Sequence, residues 1–298
     1  MMAAAEHVRI DCHLHVWADH DPRFPYCDVQ ENNLHGDGPR LEQMPLGPVE
    51  VLLAAQRECN VVGAMIVQPK FHGFDHAYVA GVLKSHGPRF QATLLLNGLT
   101  LGPEAAVAQV KQLHAESGFR GVRLKPGLCA GGLLGATSRA VVACCAELGL
   151  VVGLLCGVLD EAENIAALCA EYPACNLLVD HFGGPPEGPS FQKLLGLSKF
   201  PNFHVKCSGW ADDPPAYMSA TLELLKAYGA DRLMFGTDFP VAELSCQQQW
   251  KLFDQFCADS LSEEETAALA GGTIARLFGF DTAELLELQK QDSSAARL

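Results

Sequence analysis

The chain has 298 residues, 49% hydrophobic and 19% charged, a composition that supports a globular protein with a large core and argues against a disordered one. Its formal net charge of −14, from 35 acidic against 21 basic residues, argues against general electrostatic binding to nucleic acid or to an anionic membrane. No apolar run reaches the ~20 residues of a spanning helix, and the segment from Met1 to Glu6 has neither the basic nor the apolar part of a secretory signal.

The first element in chain order is a strand over Val8–Trp17. Alternation along a strand puts Asp11, His13 and His15 on one face and Ile10, Cys12, Leu14 and Val16 on the other. Two imidazoles on one face at a strand end can grip one metal ion or donate two hydrogen bonds to one oxygen. A long stretch from Ala18 to Pro48 follows, rich in Pro, Gly, Asp, Asn and His and without apolar period. A loop of that length inside a domain reads as a lid or binding loop, with Trp17, His20, Tyr26 and His35 on or beside it.

A regular rhythm then begins. Helix is expected over Val49–Asn60, strand over Val61–Gln68, helix over Asp75–His86 with Asp75 as N-cap, and strand over Phe90–Asn97. Pro103–Ser117 reads as helix, with proline at its start and Gly118 just past its end, and Phe119–Leu128 as strand. Helix over Thr137–Leu148, strand over Leu150–Cys156 and helix over Asp160–Tyr172, capped by Asp160, come next. Strand over Asn176–His181, a short helix over Ser190–Lys199, strand over Asn202–Gly209 and helix over Pro214–Tyr228 lead to a last strand, Asp231–Asp238. Helices then run to about Gln289.

Eight strands, each followed by a helix and apolar on both faces, predict an α/β protein: a single-domain (β/α)8 TIM barrel over 8–288. Residues 1–7 and 289–298 are expected to be tails, the latter flexible. The competing open doubly wound sheet would carry a glycine-rich phosphate turn after the first strand, where this chain has His13-Leu14-His15. Twelve cysteines without a C-x-x-C spacing, with Cys144 and Cys145 adjacent on an expected helix, read as reduced buried thiols of an intracellular protein. The terminal Ala296-Arg297-Leu298 is a variant of the small-basic-Leu peroxisomal address, so the expected location is cytoplasmic or peroxisomal.

In a barrel, side chains at the C-terminal ends of the strands converge on one mouth, where the chemistry sits. Those ends carry Asp11, His13, His15, Gln68, Asn97, Arg123, Lys125, Cys156, His181, Lys206, Ser208 and Asp238. His72 follows the second strand. His7, His76, His86, His114 and His204 read as structural or solvated.

The stretches Asp11–Trp17, Phe119–Arg123, Asp180-His181-Phe182-Gly183-Gly184, Val205–Gly209 and Gly236-Thr237-Asp238-Phe239-Pro240 resemble the amidohydrolase superfamily. More narrowly, they resemble the amidohydrolase-2 branch, which holds 2-pyrone-4,6-dicarboxylate lactonase, L-fuconolactonase-like enzymes and aminocarboxymuconate-semialdehyde decarboxylase. The resemblance covers about Val8 to Phe280. It implies that His13, His15 and Asp238 are metal ligands and that His181 faces the substrate carbonyl. Many members carry a further histidine ligand at the end of the fifth strand. Here that strand reads Val151-Val152-Gly153-Leu154-Leu155-Cys156, and Cys156 is the ligand it can offer. The lactonases of the branch resemble this chain in that departure and can work without metal. The implied cofactor is therefore one divalent metal, zinc first, or none. Lys125 on the fourth strand is also a candidate for a carboxylated lysine, against which the missing histidine speaks.

The resulting expectation is hydrolysis of a small lactone, anionic or polyhydroxylated. Asp238 takes a proton from water, and the histidines or a metal polarise the carbonyl. Arg123, Lys125, His72 and Lys206 are candidate substrate contacts; an interior ion pair of Arg123 with Asp11 or a glutamate is the plainer alternative. Two other functions fit the same residues: a zinc-dependent decarboxylase or amide hydrolase, and a metabolite-binding barrel without catalysis.

Overall fold

Residues 7–27 and 47–295 are described by the computed structural model. Strand β1 (Arg9–Leu14) opens the chain, and seven strand–helix units follow. The other strands are β2 (Val61–Val67), β3 (Phe90–Leu95), β4 (Gly121–Leu124), β5 (Val151–Leu154), β6 (Leu177–Val179), β7 (Phe203–Cys207) and β8 (Leu233–Phe235). Each pairs in parallel with the next, in the order β1 to β8. Between them lie α1 (Val49–Cys59), α2 (Ala77–His86), α3 (Pro103–Ser117), α4 (Ala136–Leu148), α5 (Val158–Glu171), α6 (Gly188–Gly196) and α7 (Pro214–Tyr228). After β8 come α8 (Cys246–Ser260), α9 (Glu263–Ala267), α10 (Thr273–Phe278) and α11 (Thr282–Ala295).

The sheet nearly closes into a barrel through the backbone just past β8. Leu14 bridges Phe239. The Asp238 N–H donates to the His13 carbonyl and the His15 N–H to the Phe239 carbonyl, both at 2.8 Å. This seam brings the first strand's histidines beside the last strand's aspartate, about 225 positions away in the chain. A Cβ on Gly236 would lie 2.8 Å from the His13 nitrogen and 2.9 Å from Cys12 Sγ. Gly236→Ala is therefore expected to cost about 1–3 kcal/mol of stability by overpacking the seam, read as a lower urea midpoint; an unchanged midpoint would show that the seam can spread.

The helices cover the outer faces of the strands with one large apolar cluster, including Leu14, Ile66, Val122, Leu154, Val179, Val205 and Phe235. A second cluster joins Ile10, Cys12, Met65, Val151, Leu178 and Met234 to Ile274, Phe278 and Leu285 of the C-terminal helices. Burying one fully apolar side chain contributes roughly 1.5–3 kcal/mol, so the barrel can carry several buried charges at its mouth.

Some boundaries differ from the sequence expectation. Strand β4 ends at Leu124, because Pro126 opens a 3₁₀ turn, Pro126–Leu128. Helix α2 starts at Ala77 with His76 as N-cap residue, although the Asp75 carboxylate still accepts the Ala77 N–H at 2.9 Å. Helix α5 starts at Val158 after Gly157, so Asp160 is in its first turn rather than at its cap. The expected tail from Gln289 is instead part of α11, and Asp292 pairs with Arg89 at 2.7 Å. Most of the 18–48 loop, His35 and the Ala296–Leu298 tripeptide lie outside the described residues.

Candidate active site

Strand alternation and the seam set the mouth. His13, His15, His181 and Asp238 are brought together, as their strand-end positions predict. The His13 ring lies 5.2 Å from His15 and 4.4 Å from His181, centroid to centroid. Asp238 Oδ1 stands 3.5 Å from His13 Nε2 and 3.4 Å from His15 Nε2. Asp238 keeps 19% of its side chain exposed, so solvent and substrate reach it. His181, Phe182 and Asp238 all have φ between 52° and 56°, the left-handed region in which a non-glycine residue is strained. The chain turns sharply after β6 and β8 to aim these side chains.

His15 is oriented from behind. Its Nδ1 meets the Val67 carbonyl at 2.8 Å. A carbonyl only accepts, so Nδ1 carries the hydrogen and the Nε2 of the neutral ring presents a lone pair. The Nδ1–H of His15 is thus held by the backbone and is not free to donate toward an oxyanion. His181 Nδ1 lies 2.9 Å from Ser208 Oγ. Asp11 turns away from substrate. It accepts the N–H groups of His13 and Thr237, both at 3.0 Å, and the Thr237 hydroxyl at 2.5 Å, tying β1 to the end of β8. Burial pushes its carboxyl up to about 6 against these bonds.

Behind His13 sits a buried group of charges that the strand pattern alone did not resolve. Asp180 Oδ2 accepts from Arg123 Nε at 2.9 Å. Its Oδ1 lies 3.1 Å from Lys206 Nζ and 3.3 Å from His13 Nδ1. The Asp180 and Lys206 side chains are 1% and 2% exposed. Two of the expected substrate contacts, Arg123 and Lys206, are thus ion-paired to Asp180. The partner is neither Asp11 nor a glutamate, because β6 lies between β4 and β7 in the barrel wall. Burial alone would raise the Asp180 carboxyl, but the Lys206 and Arg123 charges beside it outweigh that and hold it well below the usual range. Burial lowers His13 and His181 below the usual imidazole value, so both are neutral at pH 7. Burial raises the Asp238 carboxyl, but His181, His15 and His13 around it outweigh that, and it stays ionised at neutral pH.

The other expected contacts fall elsewhere. His72 is 3% exposed; its Nε2 accepts the Ala18 N–H at 3.0 Å and its Nδ1 meets the Pro25 carbonyl at 3.3 Å. Both ring nitrogens hold the first loop, so it clamps that loop and is not a substrate contact. Lys125 is half-buried just past β4.

A metal fits the donor positions. Among the described residues, His13, His15 and Asp238 are the group whose ligand atoms lie within 4.8 Å of one another. His13 Nε2 and Asp238 Oδ1 are buried without hydrogen-bond partners, and the His15 lone pair faces the same space. Cys156 does not join that group, and burial pushes its thiol up to about 12, so the proposed thiolate ligand is not supported.

The barrel mouth thus gathers a His-x-His pair, a histidine just past the sixth strand and an aspartate just past the eighth. The chain belongs to the amidohydrolase family: that family's model matches residues 10–280. Among curated proteins, it is 31% identical over 142 residues to an L-fucono-1,5-lactonase of Burkholderia multivorans, covering 40% of this chain and 48% of that one. The chain thus spans about half the length of the curated relatives it matches. Among solved structures, it resembles a 2-pyrone-4,6-dicarboxylic acid hydrolase from Pseudomonas putida at 26% identity and TM-score 0.73, covering 93% of this chain and 99% of that one. An amidohydrolase from Burkholderia multivorans with bound zinc shares the fold at 23% identity and TM-score 0.69, covering 92% and 100% of the two chains.

Proposed function

We propose that the protein hydrolyses a small lactone, with Asp238 as general base. The observation that carries this is the Asp238 carboxylate: ionised, partly exposed and without a hydrogen-bond partner on Oδ1, beside the His15 Nε2 lone pair. Two acceptors facing one space suit a water molecule that donates to both. As the water oxygen bonds to the lactone carbonyl carbon, one of its protons passes to Asp238. The developing oxyanion is stabilised by N–H groups of His13 and His181. The ring C–O bond then breaks, and protonated Asp238 returns its proton to the leaving alkoxide. A divalent ion held by His13, His15 and Asp238 would polarise the carbonyl and acidify the water.

The charges behind the mouth favour a neutral, polyhydroxylated lactone over a carboxylated one. Arg123 and Lys206 are already neutralised by Asp180, so a substrate carboxylate would compete with a buried ion pair. The similarity to L-fucono-1,5-lactonase points the same way. The test is a panel of sugar 1,4- and 1,5-lactones beside 2-pyrone-4,6-dicarboxylate, with carboxylated aromatics as decarboxylation controls. The expected result is a kcat/KM for the best sugar lactone at least about tenfold above that for the dicarboxylate. The reverse order would overturn the substrate class. Turnover of the decarboxylation controls alone would overturn the lactonase reading.

A further inference from the structure

We propose that Cys59 and Cys246 are a site of reversible oxidation by hydroperoxides, closing to a disulfide that staples α1 to α8 across the joint between β1 and β8. The chain has twelve cysteines, and these two, 187 positions apart, bring their sulfurs to 3.5 Å. Cys59 is the last residue of α1 and Cys246 the first of α8. Both are buried, yet Glu58, Asn60, Ser245 and Gln247 on either side of them are exposed. The pair thus lies just below the surface, at helix ends, where local opening costs least.

The joint they span is the thinnest in the sheet. Among the described residues, every other pair of neighbouring strands shares a ladder of at least three residue pairs. The end of β1 meets the chain past β8 at one bridge, Leu14 to Phe239, and by the two backbone hydrogen bonds of the seam. Because α1 follows β1 and α8 follows β8, a bond between these helices crosses the joint from outside. Polar contacts already gather the three elements there. Arg9 of β1 donates to the Cys59 carbonyl at 3.1 Å and to Asp254 of α8 at 2.8 Å, and its guanidinium lies 5.2 Å from the centre of the Trp250 ring. The sulfurs are therefore held together by their surroundings, and a covalent bond needs a further approach of about 1.5 Å. The closed loop would contain β2 to β8 with His181 and Asp238, and a loop of that length loses much freedom in the unfolded chain.

The two thiols differ as an attacking and a resolving group do. Burial raises the thiols of Cys145, Cys156 and Cys207. Cys59 goes the other way, because a hydrogen bond with Cys246 favours its thiolate, and the same bond raises Cys246. The Cys59 thiolate attacks one oxygen of hydrogen peroxide and the O–O bond breaks. The departing hydroxide takes the proton that Cys59 gave up and leaves as water, with Cys59 now a sulfenic acid. The Cys246 sulfur then attacks the Cys59 sulfur, the S–O bond breaks, and the hydroxyl leaves with the Cys246 proton as a second water. Two thiols and one peroxide thus give one disulfide and two waters. The sulfurs lose two electrons and the peroxide oxygens gain them. A dithiol returns both electrons by thiol–disulfide exchange.

The experiment treats the reduced full-length protein with hydrogen peroxide, alkylates the remaining thiols in denaturant and maps the peptides by mass spectrometry. The expected result is a peptide pair joined through Cys59 and Cys246, and recovery of both free thiols after dithiothreitol. Absence of that link, or sulfinic acid on Cys59 in its place, overturns the proposal. Urea unfolding reads the staple. The linked wild type should have an unfolding constant at least about tenfold smaller than the reduced wild type, and Cys246→Ala should show no such gap between peroxide-treated and reduced samples. Equal midpoints for linked and reduced wild type, or the same gap in Cys246→Ala, overturn the staple. The wild-type comparison decides alone if the variant fails to fold. Neither readout involves turnover, so the outcome is independent of the lactone screen.

Discussion

Asp238→Asn is expected to lower kcat/KM for the best lactone by at least about 10³-fold, within the range a positioned general base contributes, while leaving the fold intact. The amide keeps the size and shape of the carboxylate but cannot take the proton of water. The position also tolerates the change. Asp238 has φ 55°, and asparagine is among the few side chains that occupy this region readily. Its backbone N–H still reaches the His13 carbonyl, so the seam between β1 and the end of β8 persists. Stability should stay within about 1 kcal/mol of wild type. Asp238→Ala is the informative companion. It loses the same chemistry but places a β-carbon without local hydrogen bonding in a left-handed turn, at about 1–2 kcal/mol in stability. Steady-state kinetics with circular dichroism and urea unfolding separate the effects. An asparagine variant that kept a tenth or more of wild-type activity would remove Asp238 from the role of base.

The position of this aspartate was legible in the chain because barrel topology turns strand ends into one address. His13, His15, His181 and Asp238 all stand at expected strand ends, and in the barrel they meet. Helices with local punctuation were legible too. Pro103–Ser117 and Pro214–Tyr228 match their expected bounds, each with proline at its start and glycine just past its end. Where punctuation was ambiguous, tertiary packing decided. Val158 buries fully against the core and draws the start of α5 ahead of Asp160.

The charge pattern behind the site could not be read the same way. Alternation in β7 puts His204, Lys206 and Ser208 on one face, which made Lys206 a fair candidate for touching substrate. Its depth below the mouth depends on the stagger of β7 against β1 and β6, which local sequence does not encode. The tautomers were equally hidden. The bond from His15 to the Val67 carbonyl is a backbone contact across strands, with no residue-type signal to announce it. The one usable hint was Asp180 directly before His181, an acid at an apolar strand end with Arg123 and Lys206 at the ends of β4 and β7.

That acid gives the second large expected effect. Asp180→Asn should destabilise the protein by about 3–5 kcal/mol, the cost typical of breaking a buried ion pair and leaving its partner charged. Here two cations lose their compensation together. Arg123 and Lys206 lie 2.9 and 3.1 Å from the carboxylate, and the Asp180 side chain is 1% exposed. Urea unfolding at pH 7 would show the loss as a lower midpoint.

The sign with pH follows from the direction of the shift. The Asp180 carboxyl is held well below its ordinary 3.8. The stability it contributes is therefore fully present above about pH 4 and is lost as pH falls through the lower folded value. The gap between wild type and Asp180→Asn should be largest at neutral pH and narrow on acidification. Removing a stranded cation should restore part of the loss. The double variant Asp180→Asn, Lys206→Met leaves only Arg123 unpaired and should unfold at higher urea than Asp180→Asn alone, a coupling expected for side chains in direct contact. A double variant no more stable than the single one would mean that water already reaches and solvates Lys206. The charge behind His13 would then be screened.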